Sequence, residues 1–265
     1  MSDCCPAAAA HPSLLDHSEN GPNLVNASDE MTCFAGVDGA PKGWAVVVMA
    51  LNRITIQKVV ALSDLFDDRS DLKIVAIDVP IGLLESYEQG GRACDRAARK
   101  LLGRYRGSSV FPAPVRSALT ANSWHSACAI SRASAPQGKA ISKQTFAILP
   151  KIREIDALLQ NRMELRAVVR EVHPEVSFAE LVGKPMINRK SSIAGREERR
   201  KALTHVFPNL RMIEDAGRQQ GLTVEDIMDA TVACWSASRL AAGTGRGLPE
   251  TVSVDSTGLP MVIWV

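Results

Sequence analysis

Between Cys33 and Val79 the chain alternates short apolar runs with turn residues, and that pattern predicts four strands and one helix. Cys33 to Val37 forms a first strand that ends in Gly36-Val-Asp-Gly39, and Ala40-Pro-Lys-Gly43 reads as a turn. Trp44 to Leu51 forms a second strand and Ile54 to Val60 a third, in which Ile54 and Ile56 alternate with Thr55 and Gln57. Connections this short favour an antiparallel meander. A short helix over Ser63–Asp68 follows, with Ser63 as N-cap. Lys73 to Val79 is a continuous apolar run, which suits a central strand buried on both faces. Three hairpin-linked strands, a helical crossover and a buried strand predict a mixed sheet with the fourth strand parallel to the first.

Further along, Glu88 to Leu102 reads as an Arg-rich helix, Gly103 to Ala118 as a loop, and Ala129 to Lys139 as an exposed segment. Ile148, Ile152, Ile155 and Leu159 recur at helical spacing within a predicted helix from Ile141 to Leu159, which Pro150 should kink or break. Leu165 to Val172 reads as a strand leading into a short helix to Leu181, and Gly195–Phe207 and Leu210–Gln219 as two more helices. Thr223 and Asp226 have capping-box spacing at the start of a long helix reaching about Ala242. Thr251–Val254 and Met261–Trp264 close the chain as a hairpin through Asp255-Ser-Thr-Gly258. Residues 1–30 mix Ala, Pro, Ser, Asn and Asp without periodicity and read as a disordered tail. The remainder, 31–265, is expected to be one domain, with a helical basic insertion over about 85–163.

Composition narrows the class. At 46% hydrophobic and 23% charged residues the chain reads as an ordinary globular protein. Its longest apolar run, Trp44 to Leu51, is far below the ~18–20 residues that span a bilayer, so no membrane partner is expected. No basic region followed by an apolar stretch marks the N-terminus, and six cysteines without a CxxC pair predict reduced thiols and a cytoplasmic setting. The formal net charge of +2 conceals an asymmetry. Residues 88–201 hold 22 basic and 10 acidic side chains, whereas the flanking segments are acidic, which points to an anionic partner for the middle.

Two carboxylates stand at predicted strand ends, Asp38 after the first and Asp78 in Val75-Ala-Ile-Asp-Val-Pro-Ile-Gly82. Parallel neighbouring strands bring equivalent ends together, and crowded carboxylates are relieved by bound divalent ions. The alternative is local: Asp38 caps a turn, and Asp78 bonds backbone amides before Pro80. Asp226 and Asp229 are three apart and share a helix face. Asp226 also suits the N-cap, so Asp229 is the better ligand. Glu175, in Val172-His-Pro-Glu175, follows a predicted strand as a further catalytic candidate, and His173 could shuttle a proton.

Gly36-Val-Asp-Gly-Ala-Pro-Lys-Gly-Trp44 and Ile77-Asp-Val-Pro-Ile-Gly-Leu83 resemble the family labelled domain of unknown function 429, described as predicted RNase H-like nucleases. The resemblance continues through Arg92-Ala-Cys-Asp-Arg-Ala-Ala-Arg99, Ser108-Ser-Val-Phe111, Pro150-Lys-Ile152, Val172-His-Pro-Glu175 and Asp226-Ile-Met-Asp-Ala230. Ala40 and Lys42 stand where Cys and Gly are expected. The resemblance implies an α/β, RNase H-like mixed sheet flanked by helices and Mg2+- or Mn2+-dependent phosphodiester hydrolysis. Asp38 would bridge metals, Asp78 and Asp229 would complete the coordination, and Glu175 or His173 would orient or deprotonate water.

Arg92, Arg96, Arg99, Lys151, Lys190 and Arg200 are the candidates for holding phosphates of nucleic acid or another phosphate-rich anion. Two rival readings stay open. One is a non-catalytic nucleic-acid-binding or interaction module. The other is a phosphotransferase related to actin and sugar kinases, against which the lack of an internal repeat argues.

Overall fold

Side chains alternate across a strand, and in the first strand that alternation separates a core face from a site face. In the computed structural model, which describes residues 33–50, 53–67 and 69–265, β1 (Cys33–Ala40) sends Ala35 and Val37 into one apolar layer. Phe34 and Ala40 pack on the other side. Gly36 and Asp38, in phase with them, share that second side. The tail expected over residues 1–30 lies outside the described residues.

β1 pairs antiparallel with β2 (Gly43–Ala50), and β2 with β3 (Arg53–Val59). Ala40 opposes Gly43, so the first hairpin turns on Pro41 and Lys42 alone. Lys42 has φ 58°, a left-handed conformation that glycine adopts without steric cost. After α1 (Leu62–Asp67), β4 (Leu72–Ile77) returns parallel to β1, and β5 (Val169–Glu171) pairs parallel with β4. The sheet order is β3-β2-β1-β4-β5, the mixed α/β sheet that the strand pattern predicts.

Helices cover both faces. α5 (Leu149–Asn161) buries Ile152, Ile155 and Leu159 together with α1 against Val37, Val75 and Ile77. Each such side chain contributes about 1.5–3 kcal/mol by leaving water. On the opposite face lie α8 (Leu210–Gln219) and α9 (Val224–Ala241), with Ile213, Ile227, Ala230 and Cys234 against Ala45, Val47 and Ile56. A two-stranded sheet, β6 (Gly247–Val254) with β7 (Pro260–Trp264), packs with α2 (Ala93–Arg106) and α6 (Pro174–Val182).

Several elements differ from the sequence reading for identifiable reasons. α2 starts at Ala93 rather than Glu88, because Gly90 and Gly91 hold φ values of 86° and 78° and Asp95 caps the amide of Arg92. It runs past the expected stop at Leu102 by bending at Gly103, where φ is 57°. The expected exposed segment after Ala129 begins inside α3 (Trp124–Ala133), which is closed by a Ser123–Ser126 capping box and buries Ala127, Cys128 and Ser131. Pro150 ends the continuity of the helix from Ile141. It separates α4 (Lys143–Ala147) from α5 by sitting in the first turn of α5, where its missing N–H leaves no bond unmade. The strand expected over Leu165–Val172 shrinks to the three residues that find partners on β4. α7 (Ile193–Thr204) completes the helices. Among the described residues no helix is long and apolar enough to cross a membrane, and Cys33, Cys94, Cys128 and Cys234 are buried free thiols.

Candidate metal centre

Three elements meet at one point. The parallel register sets Val37 opposite Ile77, and the amide of Asp78 donates to the carbonyl of Val37 at 2.9 Å, so Asp38 and Asp78 leave neighbouring strand ends side by side. α9 supplies the third carboxylate. Its start is fixed by Thr223, whose hydroxyl accepts from the amide of Asp226 at 3.1 Å while the Asp226 carboxylate accepts from the amide of Thr223 at 3.1 Å. One turn of helix beyond that cap places Asp229 over the strand ends. The helix comes this close because its sheet-facing side is small (Ala230, Ala233, Cys234, Ala237) and because Gly36 lacks a side chain. A Cβ on Gly36 would lie 2.0 Å from the amide nitrogen of Cys234.

Asp38, Asp78 and Asp229 each offer a carboxylate oxygen, and these atoms lie within 4.8 Å of one another. Asp38 is 9% and Asp229 2% exposed. Burial pushes the Asp38 carboxyl well above the usual carboxylate range, and the Asp229 and Asp78 charges push it further. Asp78 is raised to about 6, chiefly by burial, with His173 pulling it down and Asp229 pushing it up. Lys190 approaches from the loop between α6 and α7, its Nζ donating to Asp229 Oδ2 at 2.6 Å. The Asp229 carboxylate beside it raises the Lys190 ammonium well above the usual lysine value.

The surrounding acids make the contrast. Asp95, Asp156, Glu171, Glu175, Glu214 and Asp255 are all buried, and every one is ion-paired to arginine. Among the described residues, the carboxylates of Asp38 and Asp78 have no hydrogen-bonding or ion-pair partner. Crowded, buried carboxylates without a cation are costly. An all-carboxylate donor set suits a hard, oxygen-seeking divalent ion, and an ammonium already rests on the third member. The residues present therefore fit a metal ion.

The other candidates fall in different places. Asp226 spends a carboxylate oxygen on the cap, though its charge is felt at Asp38. Glu175, in the first turn of α6, is clasped by Arg106 at 3.0 Å and Arg199 at 2.6 Å instead of joining the three aspartates; its charge still reaches Asp78. His173 precedes α6 beside Asp78, and its buried Nδ1 has no hydrogen-bond partner among the described residues. Lys151 donates to the carbonyl of Gly43 at 2.6 Å and lies 4.0 Å over the Trp44 ring, close enough to sense Asp38; burial holds its ammonium below the usual lysine value.

Most of the arginine candidates serve the fold. Arg92 is 1% exposed and spends its guanidinium on Asp95, Glu171 and the carbonyls of Ile81 and Gly82, which leaves nothing facing solvent phosphate. Arg99 donates to the carbonyls of Val110 and Gly90. Arg96 pairs with Glu88, and Arg200 with Glu197 and Glu214. Arg92, Arg96 and Arg200 are thus held in ion pairs and Arg99 on backbone carbonyls, rather than left free for an anion. Gly36 and the Lys190–Asp229 pair were not recognised in the sequence. The available signal for Gly36 was its two-residue spacing from Asp38 in an otherwise apolar strand.

A family model described as "Protein of unknown function (DUF429)" matches residues 36–253, a span that contains all three aspartates. No curated protein and no solved structure matches the chain.

Proposed function

The chain belongs to that family, whose description carries no activity, and from the site we propose a divalent-metal-dependent nuclease that hydrolyses phosphodiester bonds by an RNase H-like carboxylate mechanism. The observation that carries this reading is the pair of carboxylates, Asp38 and Asp78, without a hydrogen-bonding or ion-pair partner among the described residues and set beside Asp229, whereas the other buried acids are each paired with a cation. The sheet order, with three antiparallel strands followed by parallel ones, supports the RNase H-like assignment.

Asp38, Asp78 and Asp229 would hold the ion, for which Mg2+ and Mn2+ are the candidates. A bound divalent ion supplies Lewis acidity toward a phosphoryl oxygen and an activated water. His173, whose buried Nδ1 has no hydrogen-bond partner among the described residues, is the candidate to orient or deprotonate the water. Lys151 and Lys190 bring positive charge to two sides of the carboxylates, where a phosphate would add its own negative charge. Asp226 and Glu175 act on the site through their charges.

The test is a panel of single-stranded, duplex and branched DNA, RNA and RNA–DNA hybrid, with Mg2+ and with Mn2+, comparing wild type with Asp38→Asn. Metal-dependent cleavage that the substitution abolishes is the expected result. Cleavage that survives in Asp38→Asn overturns the site assignment, and absence of cleavage on every substrate overturns the activity.

A further inference from the structure

We propose that Lys190 is a resident cation of the carboxylate site, its ammonium filling on Asp229 the position a second divalent ion would take, so that the site holds one metal ion. The inference rests on the metal reading above and revises its ion count.

The geometry starts from the distance. At 2.6 Å from Asp229 Oδ2, the Lys190 ammonium makes a short charge-assisted hydrogen bond that places its charge directly on this carboxylate oxygen. A second ion on that same oxygen would have to compete with the ammonium. Charge points the same way. Three ionised aspartates carry a formal −3, and the ammonium reduces this to −2, which one divalent ion cancels. Two divalent ions beside the ammonium would leave +2 in a largely buried site. The ligand supply is also small, since Asp226 is engaged in its cap and Glu175 in two arginine pairs.

Lys190 is held where it is. Glu198 of α7 accepts from the amides of Ile187 and Asn188, each at 2.9 Å, and Arg199 donates to the carbonyl of Asn188 at 3.2 Å. On the other side Ser192 caps α7 and bonds back to the carbonyl of Arg189 at 2.8 Å. The loop is tied down on both sides of Lys190, while the side chain itself is 47% exposed, so replacing it removes a charge with little burden on the core.

Mn2+ titration calorimetry on the full chain, with electron paramagnetic resonance to detect coupled ion pairs, tests the proposal on wild type, Lys190→Gln and Lys190→Arg. Thermal melting confirms that each variant folds. Wild type and Lys190→Arg should bind one Mn2+ per chain. Lys190→Gln should bind that ion at least tenfold tighter or take up a second one. Two ions in wild type, or unchanged number and affinity in Lys190→Gln, would overturn the proposal and leave the metal site standing. Absence of Mn2+ binding in all three proteins would overturn both.

Discussion

Gly36 of the first strand and Ala230 of the last long helix touch through their backbones: a Cβ on Gly36 would stand 2.1 Å from the carbonyl oxygen of Ala230. Ala230 adjoins Asp229, so the missing side chain at Gly36 sets how closely the third aspartate approaches the first. Gly36→Ala must push α9 outward. It is expected to cost about 1–3 kcal/mol or more and to abolish Mn2+ binding even where the fold survives. Gly39→Ala is the control, because its Cβ would meet only Lys151 Cγ at 3.8 Å. Chemical denaturation and Mn2+ calorimetry of the two variants separate a close-approach requirement from a general intolerance of alanine in β1.

Asp38 sits in the fold at the expense of stability. Burial and two neighbouring carboxylates oppose its ionisation, so Asp38→Asn is expected to raise the melting temperature of the metal-free protein. A gain of about 1–2 kcal/mol would appear as several degrees. The same variant should lose the stabilisation that Mn2+ gives wild type. Differential scanning calorimetry with and without Mn2+ reads both effects, and a melting temperature lowered by the substitution would contradict the first.

The pH dependence follows from Asp78. Its folded-state pKa, about 6, lies above the ordinary value of 3.8, so the native protein binds this proton more tightly than the unfolded chain does. The stabilising contribution is complete below pH 4 and is lost as pH rises through about 6. The loss is at most about 3 kcal/mol, reduced by screening at a partly exposed group. A metal ion requires the ionised form, so Mn2+ affinity moves the other way and strengthens as pH rises through the same interval. Melting and Mn2+ titrations between pH 4.5 and about 8 should show these opposite slopes, and Asp78→Asn should flatten the stability profile.

Arg92 holds the turn after Asp78 from beneath. Arg92→Leu leaves Asp95 and Glu171 buried without their cation and the carbonyls of Ile81 and Gly82 without a donor. A loss of about 3–5 kcal/mol is expected, with part of it restored by adding Glu171→Gln. Urea denaturation measures both. A variant of wild-type stability with weakened, less salt-dependent nucleic-acid binding would instead return Arg92 to the phosphate-contacting group.

What could be read from the chain divides along physical lines. Strand alternation and short connections identify β1 to β4 and the parallel return, because periodicity depends on nearest neighbours in sequence. The Asp38–Asp78 pairing follows from that topology. Asp229 was legible as a carboxylate one turn inside the helix cap, three residues after Asp226 and followed by the apolar Ala230 and Ala233. Charge counting could not distinguish a buried strut such as Arg92 or Arg199 from a solvent-facing contact, since both add one to the same total. The Glu175 clasp and the Lys190–Asp229 contact join residues 24 to 69 positions apart and 39 apart, and no local pattern encodes either.

The three aspartates come from the first strand, the end of the fourth and the last long helix. A chain released before Asp229 therefore carries two of the three and no complete site, whatever the state of its sheet. During synthesis the site must wait until α9 has cleared the ribosome and docked on Gly36. A metal site built this way is complete only when translation of the chain is nearly finished.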